Sequence, residues 1–154
     1  MSTRHELIYS IRYAIRLTQR QARLYRRIQA VGVFLGIIGG SATLSLLAQN
    51  LPDWVGIAGA ALLTLAGAAL IAVRPADKAA RNETDVQRYT ALMAQSHTLS
   101  DEALAVAFNE AHRGDCPKIE PLRDVAYNDV AQEFGRHDAV VPLTPLQKAL
   151  AVFA

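Results

Sequence analysis

The sequence predicts an all-α membrane protein with an N-terminal basic amphipathic helix, a two-helix transmembrane hairpin and a C-terminal cytoplasmic helical region. Charge distribution is the first reason. Residues 1–29 hold seven Arg and one Glu, residues 30–73 hold only Asp53, and residues 74–154 hold nine Lys or Arg against twelve Asp or Glu. A high apolar content, 51% of the chain, is the second. The third is sustained helical periodicity with no alternating strand pattern.

Composition also excludes several classes of protein. A disordered chain would be less apolar, and a disulfide scaffold needs paired cysteines, whereas Cys116 is alone. A zinc site needs clustered Cys and His side chains, whereas the four histidines are scattered along the chain. We therefore expect neither a metal nor another cofactor.

The first segment, residues 1–29, is predicted to be a basic helix over residues 4–28. No Gly or Pro interrupts residues 4–31, so the helix is expected to run into the first span. Three interpretations of its surface are open: binding to the anionic inner leaflet, packing on the C-terminal region or another copy, and, less favoured, binding to nucleic acid. The basic stripe consists of Arg12, Arg16, Arg20, Arg23 and Arg27, opposite Leu7, Ile11, Ala14, Thr18, Ala22 and Tyr25.

The second segment, residues 30–73, is predicted to be a transmembrane hairpin with spans at 30–48 and 54–73. Each span is long enough to cross the roughly 30 Å hydrocarbon core of a bilayer. Residues 49–53 join the spans and contain no Lys or Arg, whereas Lys and Arg flank the other ends. The positive-inside rule therefore predicts that both termini lie in the cytoplasm and that loop 49–53 lies on the opposite side of the membrane.

Small residues in both spans are spaced for close helix packing. Glycine allows backbones to approach in lipid, where apolar burial contributes little to helix association. Two interpretations are open: the glycines join the two helices of one chain, or they also join chains into a homo-oligomer. The glycines are Gly32, Gly36, Gly39 and Gly40 in the first span and Gly56, Gly59 and Gly67 in the second.

Neither span contains an ionisable side chain, which argues against a proton-coupled transporter or a voltage sensor. Any conduction would need several copies, because two helices cannot enclose a pathway. The polar residues available to line such a pore are Ser41, Thr43, Ser45 and Thr64. The favoured alternative is that their hydroxyls bond to the preceding helical turn.

The third segment, residues 74–154, is predicted to form further helices. Residues 76–96 are expected to continue as a helix, followed by helices beginning after Ser100, at Pro121 and after Thr144. In the last of these, Leu146, Ala149, Leu150 and Phe153 are expected to form one apolar stripe. The acidic C-terminal segment is expected to pack on the basic helix as a bundle that high salt loosens.

A catalytic role is weakly supported. His112, Asp115 and Cys116 are close in sequence, but no phosphate-binding loop, nucleophile elbow or paired metal ligands accompany them. We therefore expect a protein that is not an enzyme.

The order of these segments resembles the SLATT family of bacterial two-transmembrane effectors, which associate with SMODS and SLOG proteins. The resemblance lies in RLYRRIQAVGVFLGIIGG (23–40), the hairpin, and EPLRDVAYNDVAQEFGR (120–136). It implies an effector that oligomerises and permeabilises the inner membrane in antiviral, abortive-infection defence, with a nucleotide-signalling or sensor protein as partner. The alternative is a non-conducting membrane anchor or scaffold that recruits a soluble partner through its cytoplasmic helices.

Overall fold

The computed structural model describes residues 3–47 and 52–154, and the side chains of residues 45–47 lie outside that description. Within these ranges the chain is helical, with no β-strand. The α-helices are α1 (Arg4–Leu47), α2 (Asp53–Val73), α3 (Pro75–Gln95), α4 (Asp101–Arg113), α5 (Pro121–Glu133) and α6 (Pro145–Phe153), with a short 3₁₀ helix at His137–Ala139. The all-helical prediction is thereby confirmed.

The chain forms two compact units. The first, here called the bundle, contains the residues up to Leu24 and those from Lys78 onward; the second, the hairpin unit, is Tyr25–Asp77. Helix α1 is unbroken from Arg4 to Leu47 and so contributes to both units. This confirms the prediction that the basic helix runs directly into the first apolar segment.

Two apolar clusters hold the bundle together, and α1 contributes to both. Its predicted apolar side is buried as far as Ala22, together with Ile15, Leu17, Gln21 and Leu24. This apolar side of the helix therefore packs within the bundle. The first cluster joins Leu7, Ile11, Ala14 and Ile15 to Tyr89, Leu92, Leu104 and Ala111. The second joins Leu17 and Leu24 to Leu122, Ala126 and Ala154.

Local sequence signals fix the helix ends in the bundle. The Ser100 hydroxyl accepts a hydrogen bond from the Ala103 amide at the start of α4. Gly135 follows α5 with φ +69°, a left-handed conformation that glycine adopts without a Cβ clash. Thr144 and Gln147 form a capping box at the start of α6, as predicted.

Two details differ from the sequence predictions. The second apolar helix does not continue into the next one, because Arg74 has φ 48° and Pro75, which lacks an N–H, begins α3. The predicted apolar stripe of α6 is present by position, but it is mostly uncovered: Leu150 packs on the core, whereas Leu146, Ala149 and Phe153 are exposed. The Arg20 guanidinium holds a different side of α6 against α1 by donating to the carbonyl of Ala151.

Candidate functional site: the glycine-lined hairpin

The two helices of the hairpin unit cross at a pair of glycines. A Cβ atom at Gly39 would lie 2.6 Å from the carbonyl oxygen of Gly59 and 2.7 Å from the amide nitrogen of Leu63. A Cβ atom at Gly59 would lie 2.6 Å from the Cβ of Ala42 and 2.8 Å from the Gly39 carbonyl oxygen. Because these neighbours are mostly backbone, the crossing has no room for a side chain at either position.

The contact continues along α1 through two further glycines. A Cβ atom at Gly32 would lie 2.6 Å from a methyl group of Leu70, and one at Gly36 would lie 3.8 Å from a methyl group of Leu63. Residue numbers therefore rise along α1 as they fall along α2, which is the antiparallel arrangement of a hairpin. Gly56 is also buried.

The remaining two predicted glycines lie apart from this contact. A Cβ atom at Gly40 or at Gly67 would have no heavy atom within 4 Å, apart from its own helix turn. The seven glycines thus divide into those that the chain uses to pack on itself and two that face open space. The first interpretation of the ridge accounts for Gly32, Gly36, Gly39 and Gly59, and leaves Gly40 and Gly67 unexplained.

The described hydroxyls in the hairpin mostly bond to their own helix. The Thr43 hydroxyl donates to the carbonyl of Gly39 and the Thr64 hydroxyl donates to the carbonyl of Ala60, each at 2.8 Å. These are the bonds to the preceding turn that the sequence favours. Ser41 is exposed, and the side chain of Ser45 lies outside the described residues.

Apolar side chains cover the outer surface of the hairpin unit. The 18-residue apolar windows of the two candidate spans have mean hydropathies of 1.4 and 2.2, and only 6% and 17% of them are buried. Both helices are therefore long and apolar enough to cross a membrane. A core helix of a soluble protein would be mostly buried, whereas little of these windows is covered by other residues of the described chain. Exposed large residues include Phe34, Ile37, Trp54, Ile57, Leu65 and Ile71.

The structure pairs Arg12, Arg16 and Arg20 of the predicted stripe with carboxylates of α5. The guanidinium of Arg20 makes a two-point contact with Asp129, at 2.6 and 2.9 Å. Arg12 and Arg16 reach the two oxygens of Glu133 at 3.4 and 3.0 Å. Arg23 and Arg27 are exposed. The first half of the stripe therefore joins the basic helix to an acidic helix of the same bundle.

A polar cluster surrounds Asp115 at the end of α4. Asp115 accepts a hydrogen bond from the Tyr89 hydroxyl at 2.7 Å and lies 3.0 Å from the Nδ1 of His112. The guanidinium of Arg88 lies between Asp85 and Asp115, at 2.7 and 3.3 Å. Both carboxylates are almost fully buried, so this network of paired charges fixes the loop after α4.

Cys116 in this cluster is poorly suited to nucleophilic attack. Burial and the neighbouring carboxylate of Asp85 raise the pKa of its thiol. Burial and the Asp115 carboxylate likewise raise the pKa of Tyr89. A nucleophilic cysteine needs the opposite shift, which favours the thiolate. Across residues 3–47 and 52–154, no group of three or more His, Cys, Asp or Glu is arranged to hold a metal ion.

Searches of the chain against protein-family models, curated proteins and solved structures found no match. The sequence alone does not show that Gly40 and Gly67 lie outside the crossing, or that the Arg stripe pairs with α5. Spacing does place Gly32, Gly36 and Gly40 on one ridge, but the structure uses Gly39 rather than Gly40 at the crossing. The rotation of each helix about its own axis decides this difference.

Proposed function

We propose that this chain is an integral membrane protein of the bacterial inner membrane, with α1 and α2 crossing the bilayer. The proposal places both termini in the cytoplasm and loop 49–53 in the periplasm. Its support is the apolar outer surface of the hairpin unit, which has no protein layer over it in the described chain. The Lys and Arg residues that flank the hairpin, absent from loop 49–53, support the orientation.

The proposed activity is membrane permeabilisation by a homo-oligomer. The observation that carries this proposal is the pair Gly40 and Gly67, which the intrachain crossing does not use. Glycines on a lipid-facing surface permit close approach of a second hairpin, and several hairpins are needed to enclose a pathway. Thr64, exposed at its side chain, and Ser41 supply polar atoms on the outer surface.

The resemblance to the SLATT family supplies the biological setting of this proposal. In that setting the protein is an effector of antiviral, abortive-infection defence, activated through a nucleotide-signalling or sensor protein. The bundle would receive the signal and the hairpins would act on the membrane. This role requires neither a catalytic residue nor a cofactor in the chain, and it involves no direct contact with nucleic acid.

A second function, a non-conducting anchor or scaffold, is favoured by a specific observation. The hydroxyls of Thr43 and Thr64 already donate to carbonyls of their own helices, so their hydrogens are not available to a water-filled path. In this alternative the hairpin only holds the bundle at the membrane, and the bundle recruits a soluble partner.

Leakage from liposomes separates the two functions. The purified chain is reconstituted at increasing protein-to-lipid ratios, and release of a trapped dye and of K⁺ is measured. A permeabilising oligomer produces leakage that rises steeply with protein density, whereas a scaffold leaves the vesicles tight at every density. A second assay measures the membrane potential of bacteria that express the protein together with its trigger. Tight vesicles and a normal membrane potential would together reject permeabilisation.

A pair of variants tests the role of the exposed glycines. Gly40→Ile combined with Gly67→Ile adds bulk only on the open faces, so we expect intact hairpins, fewer crosslinked oligomers and less leakage. Gly40→Ala combined with Gly67→Ala is the matched control, because a methyl group still permits close approach. Unchanged oligomers in the Ile variant would remove these glycines from the mechanism.

A further inference from the structure

A cleft in the bundle collects most of the tyrosines of the chain. Its volume is about 520 Å³, within the range of small-molecule sites. It lies between the start of α1 and the start of α5, and three of the five tyrosines line it. The lining residues are Tyr9, Ser10, Tyr13, Glu120, Arg123, Asp124, Tyr127 and Val141.

The aromatic side of the cleft is a set of rings that pack on one another. Tyr9 and Tyr127 meet edge to face with their ring centres 6.1 Å apart, and Tyr9 also packs on Phe134 at 5.5 Å. Burial, together with the Tyr127 hydroxyl, raises the pKa of Tyr9 to about 12. This hydroxyl therefore stays protonated at neutral pH, and the Tyr9 ring offers a π face without phenolate charge.

The ionisable side chains of the cleft leave one negative charge. Arg123 donates to Glu120 at 3.0 Å, which neutralises that carboxylate. Tyr13 and Glu120 both raise the pKa of Arg123, so the guanidinium stays a cation beside these two side chains. Asp124 instead accepts a hydrogen bond from the neutral amide of Gln147, at 2.7 Å. Among the charged lining residues, Asp124 is thus the one whose bonded partner is neutral, while Arg136, outside the lining, acts on Tyr9 from nearby.

Hydrogen bonds from outside the cleft hold its rim in place. The side-chain amide of Asn128 both donates to the carbonyl of Val141 and accepts from its amide, each at 2.8 Å. The Oε1 atom of Gln147 accepts a hydrogen bond from the Thr144 amide in the capping box, and its Nε2 atom donates to Asp124. A cleft with fixed walls binds a ligand without the entropic cost of ordering its side chains.

We propose that this cleft binds an organic cation, a guanidinium or alkylammonium group, between the tyrosine rings and the carboxylate of Asp124. Aromatic faces attract such cations, and a carboxylate with only a neutral partner supplies a charge-assisted hydrogen bond. An anion is disfavoured because Arg123 already has Glu120 as its partner and Asp124 would repel it. The proposal concerns the bundle alone and does not depend on permeabilisation.

Fluorine NMR of the full chain in nonionic detergent tests this proposal, because the tyrosines provide an internal control. With 3-fluorotyrosine in the chain, ethylguanidinium is expected to shift the signals of Tyr9, Tyr13 and Tyr127 saturably. Tyr25 and Tyr89, which do not line the cleft, are expected to stay unshifted. The highest probe concentration is about 10 mM, roughly tenfold above the 1 mM scale of weak binding. The absence of any shift at that concentration, or equal shifts at all five signals, would overturn the proposal.

Charge variants sharpen the result. Asp124→Asn keeps the shape and the contact with Gln147 but removes the charge, so we expect binding at least about tenfold weaker. Asp138→Asn, the same change at an exposed residue outside the cleft, is expected to bind as the unmodified chain does. Equal affinity of both variants, or a larger response to inorganic phosphate than to ethylguanidinium, would also overturn the proposal.

The same assay distinguishes two sources of the cation. Tighter binding of a blocked Ala-Arg-Ala peptide than of ethylguanidinium assigns the cleft to an arginine side chain of a partner protein. Tighter binding of ethylguanidinium assigns it to a free small molecule. Both results support recognition of a cation, since both probes must shift the three cleft signals.

Discussion

The two parts of α1 have similar helical geometry but opposite surroundings. Up to Leu24 the helix buries Ile11 and Leu17 in clusters with residues of α3 to α6 and pairs arginines such as Arg20 with α5. Beyond Tyr25, in the hairpin unit, it exposes large side chains such as Phe34 and Ile37 and meets one helix through glycines. The bundle is thus organised by burial of apolar area, and the hairpin by close approach of backbones.

This difference shows where each unit is sensitive to substitution. Removal of volume is the damaging change in the bundle, because each large buried side chain excludes water from a packed core. Addition of volume is the damaging change in the hairpin, because its two backbones meet at Gly39 and Gly59. The four predictions below proceed from the largest expected effect to the smallest.

The largest effect is expected from loss of volume in the bundle core. Leu122, in the first turn of α5, is fully buried against α1 and the residue that follows α6. Leu122→Ala is expected to lower the free energy of unfolding by about 2–5 kcal/mol, measured by urea denaturation in nonionic detergent. Val106→Ala, at an exposed position of α4, is the control and should change it by less than about 0.5 kcal/mol. Similar losses in the two variants would contradict the assigned core.

The next effect is expected from added volume in the hairpin. Gly39→Ala places a methyl group against backbone atoms of α2, whereas Gly40→Ala places one in open space. We expect the first to cost about 1–3 kcal/mol and the second to be neutral or stabilising, since alanine favours helix. Thermal unfolding of the two variants, followed by circular dichroism, provides the comparison. A larger loss from Gly40→Ala would mean that the helices meet through the other face.

The arginine pairs of the bundle are expected to differ with their exposure. The Arg20 side chain is 13% exposed and makes two bonds to Asp129, whereas Arg16 is 41% exposed. Arg20→Ala should cost about 1–3 kcal/mol, because it leaves a partly buried carboxylate without its cation. Arg16→Ala should cost about 0.2–1 kcal/mol. Because salt screens exposed charges, 1 M NaCl should reduce this cost. Equal costs with equal salt dependence would refute this ranking.

The smallest effect concerns Cys116 and is a change of rate. Because burial and Asp85 raise the pKa of this thiol, less thiolate is present at neutral pH than in a free cysteine. Iodoacetamide should therefore react with Cys116 more slowly than with a cysteine peptide at pH 8, and the rate should keep rising with pH above the ordinary thiol range. Asp85→Asn should lower the pKa and accelerate the reaction. Alkylation of Cys116 in the unmodified chain faster than that of the cysteine peptide would show that this thiol is a reactive nucleophile.

The sequence was most informative where one local signal decides the structure. The cap at Ser100, the first-turn Pro121, the capping box at Thr144 and the apolar side of the basic helix all appear as predicted. Each depends on neighbours within one or two helical turns, which the sequence displays directly.

The sequence was least informative where two helices must choose faces. Leu146, Ala149 and Leu150 form a stripe by spacing, yet of these three only Leu150 packs on the core. Hydrogen bonds from Arg20 to the Ala151 carbonyl and from Gln147 to Asp124 hold α6 in this rotation. The Tyr-lined cleft likewise depends on how α1 rotates against α5. Such rotations are set by long-range contacts that periodicity does not encode.

The central claim is that the hairpin unit lies in lipid while the bundle lies in water. Spin labels at Ile37→Cys, Ile57→Cys and Val106→Cys, each in a Cys116→Ser chain in liposomes, test it directly. The three parent side chains are 63%, 70% and 58% exposed, so protein burial does not separate them. We predict that dissolved oxygen relaxes the first two labels and that a water-soluble nickel chelate relaxes the third. Relaxation of all three labels by the chelate would contradict the claim.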